Sequence, residues 1–168
     1  MFKFNTKTLT ILGLLVAVEI VLSRFLSISA WNIKIGFSFV PIALAAILYG
    51  PLAGGLVAAV GDFLGAVLFP IGPYFPGFTF TAFLTGMVFG LFLHKKQNLR
   101  NIAGAVLVNQ LIMSLLLNTL WISILYGSPF LPLLETRVFQ AVLLGVVQFV
   151  VIRMVGRLPA CIQGTVAA

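Results

Sequence analysis

Six apolar stretches, separated by charges, prolines and glycines, constrain the fold of this chain more than any other feature. The chain as a whole has a hydrophobic content of 61%, a charged content of 8% and a mean hydropathy of +1.20. This composition excludes a water-soluble domain of ordinary surface polarity. At about 20 residues per spanning helix, the length admits roughly six spans and no separate aqueous domain. The sequence therefore predicts an all-α membrane protein, a six-transmembrane-helix bundle in which residues 1–168 form a single integral-membrane domain.

The first two predicted helices leave alternatives open. The first follows Lys3 and Lys7, so a cleaved signal peptide is one alternative. Its apolar run of about 18 residues exceeds the usual signal core, however, and Glu19 inside it suits a helix retained in a bundle. The second is short for a span, so five spans plus one partial helix is also open. The predicted helices are residues 9–26, 39–49, 52–69, 79–93, 102–126 and 133–155.

The net charge of +7 is a topology signal. An even number of spans puts both termini on one side, and seven of the ten basic residues fall on that side. Because cytoplasmic loops carry the excess of Lys and Arg, both termini are predicted to be cytoplasmic, and no nucleic-acid partner is expected. The seven are Lys3, Lys7, Lys95, Lys96, Arg100, Arg153 and Arg157.

The other three basic residues, Arg24, Lys34 and Arg137, are predicted to lie near the outer face. The excess of Lys and Arg in cytoplasmic loops does not explain basic residues at this position. Since Arg binds carboxylates bidentately, these cations favour a receptor for an organic anion. The alternative is that Arg24 and Arg137 neutralise Glu19 and Glu135 or reach lipid head groups.

An aromatic loop at residues 70–79 is predicted on the same face. Its three prolines and two glycines predict that it is not helical, and its rings could stack on a planar ligand. The alternative is an interfacial aromatic belt. The aromatic residues in question are Tyr74, Phe75 and Phe78.

Polar residues inside two of the helices are further candidates. Asp62 lies roughly 10 Å inside the outer end of the third helix, where it could accept N–H groups of a heterocycle, pair with Arg24 or bond to nearby backbone and hydroxyl groups. Asn118 and Trp121 are three residues apart and so share a face, with Tyr126 further along. They could line a pocket, although Asn in a membrane bundle also joins helices.

Catalytic chemistry finds little support. The single histidine, His94, lies at the opposite end of the bundle from the outer carboxylates, and the single cysteine, Cys161, lies in the C-terminal tail. Neither a Ser–His pair nor a metal cluster can be assembled near the outer face, so no enzyme, metal or cofactor is expected. On the first helix, Gly13 and Ala17 form a small-residue stripe that could pack against another helix, either a partner's or one within this bundle.

The sequence resembles the substrate-binding S components of energy-coupling factor (ECF) vitamin transporters, and among them the folate-specific type. The resemblance covers most of the chain and is strongest in residues 21–27, 39–42, 48–51, 61–65 and 68–79. It implies a multi-pass protein of the bacterial cell membrane, without enzymatic activity, that captures its vitamin under the outer loops. It also implies partners, namely a transmembrane coupling subunit and, through it, two cytoplasmic ATPases. In the family the coupling contact on helix one is commonly Ala-xxx-Ala, and here Gly13 replaces the first alanine.

Folate also suits the residues themselves, because its rings suit aromatic walls and its carboxylates suit arginines. Another anionic vitamin or a queuosine-type precursor is an alternative ligand. A stand-alone gradient-driven carrier of small anions is an alternative class, although no internal repeat is visible. The candidate substrate-binding residues are Arg24, Trp31, Lys34, Asp62, Tyr74, Phe75, Phe78, Thr79, Asn118, Trp121, Tyr126 and Arg137, and the candidate partner-binding residues are Gly13 and Ala17.

Overall fold

The computed structural model describes residues 5–30, 33–95 and 97–156, with the backbone alone for 28–30, 33–35 and 136. It is a helical bundle with one short hairpin. The elements are α1 (Thr6–Arg24), β1 (Ile28–Ala30), β2 (Ile33–Ile35), α2 (Phe39–Tyr49), α3 (Pro51–Leu68), α4 (Pro76–Leu93), α5 (Leu99–Val108), a π-helical segment (Asn109–Asn118), α6 (Thr119–Tyr126) and α7 (Phe130–Val155).

Five helices in the described part of the chain are long and apolar enough to cross a membrane. One of them is the continuous helix Leu99–Tyr126, which joins α5, the π segment and α6. Helix α2 has 11 residues and so spans about 16 Å, well short of the roughly 30 Å hydrocarbon core. The predicted short second helix is therefore found with its predicted bounds.

The helical bundle agrees with the all-α prediction, and the structure adds one short hairpin. The segment between the first two predicted helices, residues 27–38, contains an antiparallel hairpin in which Ile28 pairs with Ile35 and Ala30 with Ile33. Both strands alternate apolar and polar residues, the pattern of a half-buried strand, but three residues are too few for that period to stand out in the sequence.

The prediction that the aromatic loop at residues 70–79 is not helical is wrong at its C-terminal end. Helix α4 begins at Pro76, not at residue 79, and contains Gly77 and Phe78 in its first turn. Proline is well tolerated at the first helical position, because a backbone N–H group there would have no hydrogen-bond partner within the helix. The loop between α3 and α4 is therefore residues 69–75. The other helix ends either coincide with the prediction, as at residues 93, 126 and 155, or differ from it by one to three residues.

Helices α3 and α4 form the closest pair in the bundle. A Cβ atom added to Gly86 would overlap the main-chain oxygen of Gly54, so the two backbones touch at this crossing. Small residues at a helix crossing let backbones approach closely in lipid. The buried core beside this pair is built from α2, α4, α5 and α7, with Ala46, Ile47, Phe89, Leu93 and Ile152 at its centre.

The helices define two ends of the bundle. Helices α1, α3 and α6 finish at the side of the bundle where α2, α4 and α7 begin, and we call this side the cavity end. The last residues of the three helices that finish there are Arg24, Leu68 and Tyr126. The opposite end carries the first residue of α1 and the last residue of α7, and we call it the terminal end.

Candidate functional site

A cavity of about 620 Å³ lies inside the bundle near the cavity end. Its wall is formed by α1, α2, α3, α4, the π segment, α6 and α7, and by the loop 69–75. This volume is in the range of sites that enclose a small organic molecule. Of the predicted substrate-binding residues, it is lined by Arg24, Asp62, Tyr74, Phe75, Phe78, Asn118, Tyr126 and Arg137.

On one wall of the cavity, Arg24 and Asp62 form an ion pair. Arg24 Nη2 lies 3.8 Å from Asp62 Oδ1 and donates to the main-chain oxygen of Asp62 at 3.4 Å. The other carboxylate oxygen of Asp62 accepts a hydrogen bond of 2.9 Å from the Thr79 hydroxyl, which lies 3.2 Å from the Tyr74 hydroxyl. Two of the three roles predicted for Asp62 are thus filled together, the Arg24 pair and a hydroxyl contact.

Two glycines of α3 make room for the charged side chains of α1. A Cβ atom at Gly61 would overlap the Glu19 carboxylate, and one at Gly65 would lie 2.8 Å from Arg24 Nε. The Glu19 side chain is 4% exposed and lines the cavity. The Gly61/Gly65 pattern therefore serves internal packing, and it brings a carboxylate and a guanidinium to the cavity wall.

Arg137 is the least compensated cation of the cavity. It lies on α7 two turns from Phe130, is 6% exposed, and its Nε and Nη1 atoms have no hydrogen-bond partner among the described residues. Glu135 is two residues away and exposed, and residues at that spacing do not share a helix face. An arginine buried in this way requires an acceptor, and a ligand anion in the cavity would supply it.

The deep part of the cavity is lined by side-chain amides. Thr85 donates to Asn109 Oδ1 at 3.0 Å, and Asn109 Nδ2 lies 3.5 Å from Gln148 Oε1. Thr85 is nine residues from the start of α4, so this layer lies roughly 14 Å inside the bundle. Such groups offer both donors and acceptors to a heterocycle. The amide cluster consists of Asn109, Gln110, Gln140 and Gln148, all of them buried.

The aromatic residues at the mouth of the cavity pack on one another. The Tyr74 ring is 5.8 Å from that of Phe63, and the Phe75 ring is 6.2 Å from that of Phe78. Phe75 also lies 5.5 Å from Trp121. These edge-on and tilted contacts hold the rings of the loop in fixed positions beside the cavity.

Two other predicted substrate-binding residues, Thr79 and Trp121, do not line the cavity themselves. Trp121 donates from Nε1 to the Thr81 hydroxyl at 2.9 Å and packs against Gly77, so it supports the start of α4. Thr79 holds Asp62 as described above. Lys34 lies in β2, where only the backbone is described, and Trp31 lies outside the described residues. Gly13 and Ala17 are exposed on α1, and a Cβ atom at Gly13 would have no neighbour within 4 Å.

Glu19 and the amide cluster are cavity residues that were not predicted from the sequence. A signal for the amides exists, because Arg137, Gln140, Leu144 and Gln148 follow one another at spacings of three or four along one face of α7. Polar residues on one face of an otherwise apolar helix point to a polar interior. Within the described ranges, no group of three or more His, Cys, Asp or Glu side chains is placed to hold a metal ion.

The fold and the cavity together define a class of protein, a helical membrane protein that encloses a polar ligand site at one end of its bundle. The sequence model described as "ECF transporter, substrate-specific component" matches residues 7–160. The chain belongs to this family, and it is a multi-pass protein of the bacterial cell membrane.

Three relatives make the resemblance more specific. A protein of Clostridium novyi (strain NT) named folate transporter FolT is 38% identical over 152 residues, which cover 88% of each chain. A folate transporter FolT of Leuconostoc mesenteroides subsp. mesenteroides is 33% identical over 153 residues, 87% of this chain and 82% of the relative. The crystal structure of FolT bound with folic acid superposes with a TM-score of 0.87 at 33% identity and covers 91% of this chain and 94% of that one.

Proposed function

We propose that this chain captures folate in the cavity and is the S component of an ECF importer. The observation that carries the proposal is the buried Arg137, which lines a cavity of suitable size and whose Nε and Nη1 atoms have no hydrogen-bond partner among the described residues. The similarity to FolT, solved with folic acid, supports folate as the anion. The aromatic mouth and the amide cluster offer stacking and hydrogen bonding to its rings.

The proposed orientation places the cavity end outside the cell and both termini in the cytoplasm, with α2 completing a bundle of six membrane helices. Basic residues support this orientation, because Lys7, Lys95, Arg100 and Arg153 all lie toward the terminal end. Lys3, Lys96 and Arg157, which carried the same prediction, lie outside the described residues.

The proposal includes partners but no chemical reaction on the vitamin. As expected for the family, a transmembrane coupling subunit would bind the chain in the membrane, and two cytoplasmic ATPases would supply the energy. The exposed small residues Gly13 and Ala17 on α1 are the proposed contact with the coupling subunit.

Calorimetric titration of the detergent-solubilised chain tests the ligand directly. We expect folate to bind at one site per chain without any partner, and thiamine, a cation, to give no heat of binding. Saturable binding of another vitamin together with no heat from folate would contradict the assignment.

A further inference from the structure

The helix that runs from Leu99 to Tyr126 changes its winding where it passes the cavity. Its middle ten residues, Asn109–Asn118, follow the i to i+5 hydrogen-bonding pattern of a π-helix, with α-helix on either side. Such winding is rare and usually limited to a single turn, and it is frequent at functional sites. A π segment of this length beside a ligand cavity therefore calls for a reason.

The reason lies in which residues the winding turns toward the cavity. An i to i+5 pattern takes between four and five residues per turn, so two turns take about nine residues. Asn109 and Asn118 are nine residues apart, and both line the cavity, with Met113 and Ser114 between them. In an α-helix nine residues make about two and a half turns, and the two asparagines would point in opposite directions.

The exposed residues of the segment agree with this geometry. Starting from Asn109, α-helical winding would turn Leu116, seven residues further on, to the cavity. In the structure Leu116 is 51% exposed on the outer surface of the bundle, and Leu111 is 53% exposed. The π winding thus replaces a leucine on the cavity wall with Ser114 and Asn118.

A second observation points to a ligand at this wall. Gln110, at the start of the segment, is 6% exposed and lines the cavity, and its Oε1 atom has no hydrogen-bond partner among the described residues. A buried amide oxygen without a donor is unfavourable unless a ligand supplies one.

We propose that the π winding is a ligand-binding device that turns Ser114 and Asn118 onto the same face as Asn109, so that these neutral polar side chains line the cavity as one strip beside Gln110. Amide and hydroxyl groups offer donors and acceptors in alternation, which suits the uncharged heterocycle of a ligand and not its carboxylates. Asn118 is the contact that depends on the winding. This inference rests on the proposed function only in the use of folate as a probe.

Thiol accessibility tests the winding without reference to any ligand. In the full chain with Cys161→Ser, Asn118→Cys and Leu116→Cys are compared in membrane vesicles with a sulfonated methanethiosulfonate, which reacts with thiols in contact with water. We expect Asn118→Cys to react at least tenfold faster than Leu116→Cys. Equal rates, or faster reaction at Leu116→Cys, would overturn the inference, because α-helical winding would turn Leu116 to the cavity.

Folate then tests the contact. Saturating folate should slow the labelling of Asn118→Cys at least fivefold, and Asn118→Ala should weaken folate binding at least tenfold, whereas Leu116→Ala should change it less than twofold. Unchanged folate affinity in Asn118→Ala would overturn the ligand contact. If the wild-type chain binds no folate, the proposed function fails, and the labelling rates still decide the winding.

Discussion

Arg24 lies 3.8 Å from the carboxylate of Asp62, whereas the Nε and Nη1 atoms of Arg137 have no hydrogen-bond partner in the described part of the chain. The two arginines of the cavity therefore differ in how far their charge is already compensated. Among the buried side-chain nitrogens of the described residues, Nε of Arg24 lacks a hydrogen bond, and so do both Nε and Nη1 of Arg137. A ligand carboxylate therefore gains more binding free energy at Arg137 than at Arg24, because at Arg24 it competes with the Asp62 carboxylate.

The first prediction follows from this difference. Arg137→Ala should weaken folate binding by tenfold or more, because hydrogen bonds to charged groups contribute about 1.5–3 kcal/mol. Arg24→Ala should weaken binding less, because Asp62 already pairs with its guanidinium, and Lys34→Ala is predicted to weaken binding least. Calorimetry with folate in detergent measures all three, and Arg153→Ala, at the terminal end of the same helix as Arg137, is the matched control.

Arg137→Lys separates charge from geometry. Lysine keeps the positive charge but loses the planar fork of donors, so its affinity should lie between those of the wild type and Arg137→Ala. A small and equal effect of all arginine substitutions on folate affinity would show that these residues set the membrane topology or contact lipid head groups and do not bind the ligand.

A second prediction concerns the coupling between Arg24 and Asp62. Asp62→Ala should lower the thermal stability of the ligand-free chain, because it leaves the Arg24 side chain, 10% exposed, without its counter-charge. The double substitution Arg24→Ala/Asp62→Ala should cost less than the sum of the single ones, with a coupling of about 0.5 kcal/mol or more. Thermal unfolding followed by tryptophan fluorescence provides the four stabilities, and strict additivity would show that the pair contributes nothing.

A third prediction tests the packing of α1 on α3. Gly61→Ala should destabilise the chain by about 1–3 kcal/mol, since the added methyl group overlaps the buried Glu19 carboxylate and displaces that side chain from its place against α3. Gly13→Ala is the matched control, because a methyl group there meets no neighbour. The unfolding assay used for the Arg24 and Asp62 variants measures both, and equal stability of the two variants would contradict the contact.

A fourth prediction separates the ring of Tyr74 from its hydroxyl. If the loop 69–75 stacks on the ligand, Tyr74→Ala and Phe75→Ala should weaken folate binding, while Tyr74→Phe should keep most of the affinity because it keeps the ring. The hydroxyl contacts Thr79, so its loss should act mainly on stability. Titration calorimetry measures the affinities, and unchanged binding in the two alanine variants would reduce the loop to an interfacial aromatic belt.

The sequence was a good guide to the helices, for a physical reason. In a membrane each spanning helix must be a long apolar run, so runs such as residues 52–69 are easy to recognise, and the structure places α3 at Pro51–Leu68. The start of α4 was harder, because Pro76 and Gly77 suit a loop as well as a first helical turn.

The cavity was predictable in part. Charged residues such as Arg24, Asp62 and Arg137 are expensive in lipid and therefore stand out, and all three line the cavity. Trp121 was harder, because sharing a helix face with Asn118 does not say which neighbour that face meets. The π winding was not predictable either, since hydrophobic periodicity assumes the α-helical repeat and cannot register a local change of winding.

The last prediction concerns the supply of energy. Gly13 and Ala17 lie on the exposed side of α1, opposite the buried Leu12 and Glu19. If a coupling subunit packs closely against these small residues, Gly13→Trp or Ala17→Trp should abolish folate uptake in cells that contain the whole transporter. Folate binding by the purified variants should stay near normal, because neither residue lines the cavity.

Two controls make this prediction specific to the docking face. Val146→Trp places the same bulk on an exposed position of α7, 62% exposed, and should support normal uptake. Vesicles that contain only this chain should accumulate no folate, because the proposed mechanism draws its energy from the partner ATPases. Normal uptake by Gly13→Trp would rule out the α1 docking face, whereas folate accumulation in vesicles of the chain alone would favour a gradient-driven carrier over the S-component mechanism.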